Sequence, residues 1–355
     1  MTRILFTGGG SAGHVTPNIG LIERCELEGW EVFYVGSEKG IEKTIVQESG
    51  VPFYGIASGK LRRYFSWQNF TDPFRILLGV LQSLLICWRL KPRVIFSKGG
   101  FVSVPVVIAG WLNRIPVICH ESDMTPGLAN RLCVPFCSRI CVTFPQTKKY
   151  LDASKVVVTG TPVRQIILQG KADEGRRLLK LNPYMPVILI FGGSLGAMTI
   201  NTVVRDSLDE LLADFQVVHI CGKGNIDRNL LDRTYYHQAE YLNEEFGHVL
   251  ACADLVVCRA GANSIYEILV ARKPHILIPL SARASRGDQI VNARIFAELG
   301  YSKVIYEDSL NSQTLVTTIL STLREREIIA QKLLEFEIPD AVEKIYRLIE
   351  ELSRE

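Results

Sequence analysis

Hydrophobic and polar positions in the first half of the chain form short apolar runs separated by longer amphipathic segments. Runs rich in β-branched and aromatic residues predict strands at residues 4–7, 30–35, 51–56, 94–97, 116–120, 139–143 and 155–159. Helical patterns lie between several of these runs, one from Pro17 to about residue 28 and one from about residue 73 to residue 90. Strands that alternate with helices of this length indicate a parallel sheet with helices on both faces.

The same scheme starts again in the second half. After a polar segment that follows residue 164, strands are predicted at residues 187–191, 217–221, 239–241, 255–257, 275–278 and 303–305. We therefore expect an α/β protein with two Rossmann-like doubly wound domains, residues 1–163 and 164–339, that face each other across a cleft. Pro339 separates an amphipathic helix at about residues 340–355, which we expect to pack back on the first domain.

Composition agrees with this prediction and excludes some classes of function. The 355 residues exceed the usual size of a single core, and a net charge of +3 argues against a general nucleic-acid-binding protein. Cys133, Cys137 and Cys141 recur at every fourth residue, but neither a CxxC pair nor a histidine at ligand spacing accompanies them. We therefore expect all nine cysteines to be free thiols, mostly buried, in a reducing compartment.

Two stretches bear on membrane association. The apolar segment between Arg75 and Arg89 has about thirteen residues, so we expect it to be too short to span a bilayer. Together with the cationic and aromatic residues at 60–67, it suits binding to an anionic membrane surface, although a buried core helix would have a similar composition. The first residues of the chain do not have the pattern of a signal peptide.

The first predicted strand leads directly into a glycine-rich stretch, Gly8-Gly9-Gly10-Ser11-Ala12-Gly13-His14. Glycine permits close approach to backbone N–H groups, and the N-terminus of the next helix favours an anion, so the stretch suits a phosphate or diphosphate. Its glycines also match the dinucleotide-binding fingerprint, and Glu38 lies near the end of the second predicted strand, as in an NAD(P)-dependent oxidoreductase. A second glycine loop at residues 192–196 and the lack of a hydride-transfer constellation argue against that alternative.

Seven motifs follow one another along the whole chain: Gly-Gly-Gly-Ser-Ala-Gly-His-Val-Thr-Pro at 8–17, Gly-Gly-Phe-Val-Ser at 99–103, His-Glu-Ser-Asp at 120–123, Gly-Thr-Pro-Val-Arg at 160–164, Gly-Gly-Ser-Leu-Gly-Ala at 192–197, Cys-Arg-Ala-Gly-Ala-Asn-Ser-Ile-Tyr-Glu at 258–267 and Asp-Gln-Ile-Val-Asn-Ala at 288–293. Together they resemble the MurG family of bacterial N-acetylglucosaminyltransferases. The resemblance implies a GT-B architecture, UDP-N-acetylglucosamine as donor, undecaprenyl-linked lipid I as acceptor, and inversion at the anomeric carbon without a metal or cofactor. It also implies a peripheral protein at the cytoplasmic face of the bacterial cell membrane.

By the same resemblance, His14 is the catalytic residue. An imidazole titrates near neutral pH, so His14 suits a general base or a group that orients the acceptor, and a packing role in the loop is the alternative. Glu121 and Asp123 remain alternative bases. Donor-binding residues are implied at Ser11, Ala12, Gly13, Asp123, Arg164, Ser194, Leu242, Ala262, Asn263, Ser264, Ile265, Glu267, Gln289 and Asn292. Acceptor-binding residues are implied at Gly99, Gly100, Ser103 and Glu121.

The implied donor contacts have specific chemistry. Arg164 is expected to contact the nucleotide, and Glu267 is expected to accept both ribose hydroxyls. Gln289 and Asn292 lie three residues apart on one helical face, from which amides can bind sugar hydroxyls. Surface ion pairs and solvated polar faces would account for the same residues without a ligand.

The chain also departs from the family pattern. His-Glu-Gln-Asn is common in the family where this chain has His-Glu-Ser-Asp, so Asp123 keeps an acceptor but lacks an amide donor. A related GT-B transferase that glycosylates diacylglycerol and a non-catalytic nucleotide-sugar sensor remain alternative functions.

Overall fold

The computed structural model describes residues 1–59, 68–193, 196–282 and 287–354. The chain divides into two compact units, one of Met1–Pro162 with Pro339–Glu355 and one of Val163–Ile338. Each unit is a parallel sheet packed with helices, which confirms the α/β class that the alternating pattern predicts.

The strands are short and largely buried. They are β1 (Arg3–Thr7), β2 (Glu31–Ser37), β3 (Phe53–Ile56), β4 (Val94–Ser97), β5 (Val117–Glu121), β6 (Arg139–Val142), β7 (Val156–Val158), β8 (Val187–Phe191), β9 (Gln216–Ile220), β10 (Tyr236–Ala239), β11 (Leu255–Cys258), β12 (His275–Leu277) and β13 (Ser302–Val304). The strand order is β3-β2-β1-β4-β5-β6-β7 in the first unit and β10-β9-β8-β11-β12-β13 in the second.

The helices connect these strands and cover the sheets. They are α1 (Thr16–Leu27), α2 (Ile41–Glu48), α3 (Gln68–Leu90), α4 (Ser103–Leu112), α5 (Leu128–Cys133), α6 (Gln165–Leu168), α7 (Ala172–Leu178), α8 (Met198–Asp206), α9 (Leu208–Asp214), α10 (Phe246–Cys252), α11 (Ala262–Val270), α12 (Asp288–Glu298), α13 (Ser312–Arg324), α14 (Arg326–Glu335) and α15 (Ala341–Arg354).

The strand order fixes where ligands can approach. In the first unit β1 pairs with both β2 and β4, and in the second β8 pairs with both β9 and β11. The chain therefore reverses its winding direction at β1 and at β8. Ligands of open α/β sheets bind beyond the carboxyl ends of the strands at this switch point. The two glycine loops follow β1 and β8, so each lies at the switch point of its own sheet.

One predicted strand is wrong by about three residues. The sequence predicts a strand at residues 239–241, whereas β10 is Tyr236–Ala239. Tyr236 is 3% exposed and its hydroxyl lies 2.9 Å from Nδ1 of the buried His219, while Tyr241 is 44% exposed. Burial of the Tyr236 ring against β9 therefore decides the register.

The apolar helix α3 is longer than the sequence predicts. Its segment Asp72–Leu90 has 19 residues, a mean hydropathy of 1.4 and 28% of its residues buried. By length and composition alone it is able to cross a membrane, so the prediction that this segment is too short is wrong. A core helix of a soluble protein meets the same criterion. One face of α3 does pack inward, because a Cβ added to Gly79 would lie 2.3 Å from the carbonyl oxygen of Ala57.

The regularly spaced cysteines do not share a helical face. Cys133 ends α5, Cys137 lies before β6, and Cys141 lies within β6. The Sγ atoms of Cys137 and Cys119 are 2.8 Å apart in one core cluster, whereas Cys141 belongs to another. All nine cysteines are free and buried, and among the residues that the structure describes there is no cluster of three or more His, Cys, Asp or Glu residues suited to a metal ion.

The last helix, α15, completes the core of the first unit. Ile345 and Ile349 are fully buried among residues of β1, β2 and α1. Arg24 of α1 forms an ion pair with Glu343 (3.1 Å), and its guanidinium carbon lies 4.4 Å from the ring centroid of Tyr346. Residues from the end of the chain thus stabilise its first helix.

We expect Ile345→Ala to lower the free energy of unfolding of the first unit by about 2–5 kcal/mol, because it leaves a cavity under α1. All four tryptophans lie within the first unit, so tryptophan fluorescence during denaturant unfolding measures this loss. The exposed Lys344→Ala is the matched control, with an expected change below about 0.5 kcal/mol. Equal midpoints for the two variants would contradict the role of α15.

Candidate functional site

The two glycine stretches of the first unit contact each other at the carboxyl ends of β1 and β4. Gly10 has φ +84° and Gly100 has φ +87°, a conformation that favours glycine. The N–H of Gly9 donates to the carbonyl of Gly99 (3.3 Å), and a Cβ on Gly100 would lie 2.2 Å from the carbonyl oxygen of Gly9. A side chain at Gly100 would therefore separate the two turns.

His14 ends a one-turn 3₁₀ helix, Ala12–His14, that follows the first glycine turn. Its Nδ1 lies 3.0 Å from the hydroxyl oxygen of Ser11, and its ring is half-buried. Beneath the loop, the Tyr34 hydroxyl donates to the carbonyl of Gly8 (3.0 Å) and accepts from Asn18 Nδ2 (3.2 Å). Side chains of β2 and α1 thus support the backbone that carries His14.

Lys98 is a buried cation that the sequence reasoning missed. It follows β4, is 1% exposed, and its Nζ lies 2.8 Å from His120 Nδ1, 2.6 Å from Ser122 Oγ and 2.9 Å from Thr161 Oγ1. These three acceptors match the three donors of an ammonium group. Lys98 therefore ties the ends of β4 and β5 to the segment that follows β7.

Burial lowers the pKa of Lys98 to about 7, although the nearby carboxylates of Glu121 and Asp123 act to raise it. Burial, followed by the neighbouring Lys98 charge, holds the pKa of His120 well below its usual value. His120 is thus neutral at pH 7. With Nδ1 accepting from Lys98, its Nε2 donates to the carbonyl of Gly160 (2.8 Å).

Two of the predicted acceptor-binding side chains lie inside the first unit. Glu121 is 4% exposed, with Oε1 accepting the N–H of Asp123 and Oε2 accepting the N–H of Gly127 and Asn130 Nδ2 (2.8–2.9 Å). Burial and then the charge of Asp123 raise the pKa of Glu121 to about 7. Ser103 is fully buried and donates to the carbonyl of Gly99 (2.8 Å). In this structure both side chains organise the loops at the strand ends.

In the second unit the glycine loop follows β8. The predicted contact Ser194 lies outside the described residues, and so do residues 60–67 of the predicted membrane loop. Gly196 has φ +79°, and a Cβ there would lie 2.1 Å from the carbonyl oxygen of Cys221. Gly196 therefore packs directly against the end of β9.

Helix α11 presents its N-terminus at the end of the neighbouring strand β11. Ala262 and Ile265 are buried, whereas Asn263 and Ser264 are half-buried. The N-cap residue of α11 is Gly261, which has no side chain to cap the helix, and the N–H of Ile265 makes a helical hydrogen bond to Gly261. Such a terminus favours an anion.

Arg164 and Glu267 form a two-pronged ion pair within the second unit. Arg164 Nε donates to Oε1 (2.7 Å) and its Nη2 donates to Oε2 (2.9 Å). The guanidinium also lies 4.9 Å from the ring centroid of Phe246, and the two side chains are 33% and 16% exposed. The structure thus brings together two predicted donor contacts that are 103 residues apart in the chain.

The side chains of Gln289 and Asn292 form hydrogen bonds with backbone groups and are not fully solvated. Gln289 Oε1 accepts the N–H of Leu280 (3.1 Å), and the buried Asn292 donates to the carbonyl of Ala260 (3.1 Å). The half-buried Leu242 follows β10. Arg259, which sequence reasoning did not select, forms a largely buried ion pair with Glu307 (2.6 Å) beside these residues.

The predicted residues thus form two groups, one at the strand ends of each unit. The missed residues Lys98 and Arg259 each directly follow a buried strand. Lys98 precedes the motif at 99–103, and Arg259 lies within the motif at 258–267. The sequence signal that could have identified them is a charged residue directly after an apolar run. Whether that charge is buried depends on the fold.

Known proteins resemble the chain over its whole length. Residues 4–142 match the glycosyltransferase family 28 N-terminal domain, and residues 187–351 match the C-terminal domain of that family. The chain is 51% identical over 349 residues to the UDP-N-acetylglucosamine–N-acetylmuramyl-(pentapeptide) pyrophosphoryl-undecaprenol N-acetylglucosamine transferase of Legionella pneumophila strain Paris, covering 98% of this chain and 96% of that protein. The Clostridium botulinum strain Langeland protein of the same name is 48% identical over 354 residues and 100% of both chains.

Solved structures show the same fold. The crystal structure of Acinetobacter baumannii MurG superposes with a TM-score of 0.79 at 24% identity, over 99% of this chain and 100% of that one. The glycosyltransferase SnogD from Streptomyces nogalater gives a TM-score of 0.68 at 17% identity, over 99% of both chains. These likenesses confirm the GT-B fold class.

The buried Lys98 makes a prediction about stability and pH. Its pKa is about 7 in the folded protein and near the ordinary lysine value of 10.5 when unfolded, so between these values the unfolded state binds more protons. The contribution of Lys98 to the free energy of unfolding of the first unit is therefore expected to rise with pH in this window, by about 1.4 kcal/mol per pH unit. Lys98→Met removes this rise.

The measurement is tryptophan-monitored denaturant unfolding of wild type, Lys98→Met and the exposed Lys91→Met at several pH values from 6 to 10. Lys91→Met should follow the wild-type curve. A wild-type advantage over Lys98→Met that stays constant across the range would show that Lys98 does not titrate in this window.

Proposed function

The chain belongs to the MurG family of N-acetylglucosaminyltransferases within glycosyltransferase family 28, and we propose that it transfers N-acetylglucosamine from UDP-N-acetylglucosamine to the muramoyl 4-hydroxyl of undecaprenyl-diphospho-muramoylpentapeptide. This reaction converts lipid I to lipid II in peptidoglycan synthesis. The observation that carries the proposal is the identity of 51% and 48%, over 98% and 100% of the chain, to transferases with this named activity.

The reaction needs a proton acceptor and stabilisation of the leaving group. The acceptor hydroxyl attacks the anomeric carbon, its oxygen forms the new glycosidic bond as the bond to UDP breaks, and inversion results. His14 accepts the hydroxyl proton in this proposal. Its contact with Ser11 engages Nδ1, which assigns the proton transfer to Nε2. The developing charge on UDP is stabilised by backbone donors and helix dipoles.

The second unit supplies much of the proposed donor site. The N-terminus of α11, formed by Ala262, Asn263 and Ser264, suits the diphosphate. Arg164 holds both oxygens of Glu267, so the remaining lone pairs of this carboxylate are oriented to accept two ribose hydroxyls. Leu242, Ile265, Gln289 and Asn292 of this unit are assigned to the same site, together with Ser194. Within the first unit, Ser11, Ala12, Gly13 and Asp123 are further donor contacts in this proposal, as the family resemblance implies.

Radiolabelled transfer tests the proposed activity. Wild-type protein should add one N-acetylhexosamine from UDP-N-acetylglucosamine to a lipid I analogue, and His14→Ala should lower kcat at least about 100-fold with little change in donor affinity. His237→Ala, in the edge strand β10, is the matched control and should keep full activity. Binding without transfer would indicate a nucleotide-sugar sensor. Transfer only to diacylglycerol would indicate a different acceptor. Equal losses of kcat and donor affinity in His14→Ala would contradict the role of His14 as base.

The family acts on a polyprenyl-linked acceptor, and we place this protein peripherally on the cytoplasmic face of the bacterial membrane, where α3 meets anionic lipid. Six large apolar side chains, 49–74% exposed, follow one another at helical spacing on α3: Phe74, Leu77, Leu78, Leu81, Leu85 and Trp88. The opposite face is buried, with Ser83 donating to the carbonyl of Gly79 and Cys87 in the core. Arg75, next to Phe74 at the start of the stripe, and Arg89, directly after Trp88 at its end, are both exposed. A helix with one buried face and one exposed apolar face fits attachment to the membrane surface.

We expect Leu77→Asp/Leu85→Asp to weaken binding to vesicles containing phosphatidylglycerol at least about tenfold, because both charges enter the apolar stripe. Co-sedimentation measures the binding. Leu231→Asp in the second unit, where Leu231 is also exposed, is the control and should bind as wild type does. Unchanged binding of the double variant would exclude α3 as the membrane contact.

A further inference from the structure

Glu42 is a fully buried carboxylate beneath the first glycine turn. It lies in the first turn of α2, and its Oε2 accepts the N–H of Gly10 (3.2 Å). Its Oε1 accepts the N–H of Ser37 (2.9 Å) and also the Ser37 hydroxyl. One carboxylate therefore joins the turn after β1 to the end of β2, with each of its oxygens used by a backbone amide.

The chain leaves room for this carboxylate with three glycines. An added Cβ would lie 2.5 Å from Glu42 Cδ at Gly9, 2.7 Å from Cγ at Gly36 and 2.2 Å from Oε1 at Gly40. None of these three glycines has a positive φ, so backbone conformation does not explain them. Contact with the Glu42 side chain explains Gly9 and Gly40, because real Cβ atoms do not approach other heavy atoms so closely. At Gly36 the ring of Phe53, 2.9 Å from the added Cβ, contributes as well.

These contacts give the glycine-rich turn a different role from the one it has in a dinucleotide-binding site. In a dinucleotide site the amides of such a turn face a phosphate. Here the amide of Gly9 is bonded to Gly99 and that of Gly10 to Glu42. The turn itself is therefore a structural support for the residues that follow it.

We propose that Glu42 is a positioning residue for glycosyl transfer, which clamps the glycine turn in the conformation that presents His14 to the reacting hydroxyl. The clamp acts at Gly10, four residues before His14, and works from below together with Tyr34 and Asn18. This inference rests on the proposed function, because it needs His14 to take part in the reaction. Displacement of a catalytic group by about 1 Å can cost about 100-fold in rate.

The test compares Glu42→Gln with Glu48→Gln, an exposed glutamate of the same helix. An amide has a single acceptor oxygen, so in Glu42→Gln an NH₂ group faces the N–H of either Gly10 or Ser37. We expect kcat for transfer to a lipid I analogue to fall at least about tenfold, with KM for UDP-N-acetylglucosamine within about twofold of wild type. Glu48→Gln should match wild type in both constants.

A double-mutant cycle tests the contact itself and does not depend on the stability of Glu42→Gln. Gly9→Ala places a methyl group against the Glu42 carboxylate, and Glu42→Asp withdraws the carboxylate by one methylene. We expect Gly9→Ala to lower kcat more in the wild-type background than in Glu42→Asp, since the second change relieves the clash. Independent effects of the two substitutions would contradict the contact.

The possible failures are distinguishable. A wild-type protein that transfers no sugar to the lipid I analogue would overturn the proposed function. Two results with an active wild type would overturn the positioning role of Glu42. In one, Glu42→Gln retains kcat within about twofold of wild type. In the other, Glu42→Gln has a lower kcat, a correspondingly higher KM for the donor and a lower unfolding midpoint measured by tryptophan fluorescence.

Discussion

Close backbone approach at the ends of the central strands is the constraint on which the candidate residues of each unit depend. At Gly100 a Cβ would meet the carbonyl of Gly9 at 2.2 Å, and at Gly196 a Cβ would meet the carbonyl of Cys221 at 2.1 Å. Each unit thus brings two strand-end loops together where its winding direction reverses. Any side chain at these positions would separate the loops, and the groups that follow them would lose their common location.

Buried charges organise the first unit around this constraint. Glu42 supports the turn after β1 from the β2 side, and Lys98 connects the ends of β4 and β5 with Thr161. Glu121 then accepts two backbone N–H groups of the loop after β5 and the side-chain amide of Asn130 in α5. Burial moves the pKa of both Lys98 and Glu121 to about 7, so this network changes its charge in the physiological range. Hydrogen bonds to every one of these groups offset part of the cost of burial.

The two units combine different chemistries that the proposed reaction requires. The first presents a histidine beside its glycine turn and a one-sided apolar helix, which suits a polar acceptor on a lipid carrier. The second presents the N-terminus of α11, which begins after a glycine, and the Arg164–Glu267 pair, which together suit a nucleotide diphosphate. Likeness to the GT-B fold does not by itself identify a substrate, because proteins with as little sequence identity to this chain as SnogD, at 17%, share that fold. Full-length identity near 50% to named transferases, with the residues at the strand ends, supports the assignment.

Local pattern determined much of this protein. Apolar runs and glycines set the α/β class, both parallel sheets and the two loops at the strand ends, because strand burial and positive φ depend on nearby residues. Tertiary structure decided the rest. The burial of Tyr236 set the register of β10, and packing gave α3 one buried face and one exposed face. The ionic roles of Glu42 and Lys98 also depend on partners distant in the chain: a charged residue after a strand looks the same in sequence whether it is solvated or buried, and only packing determines which.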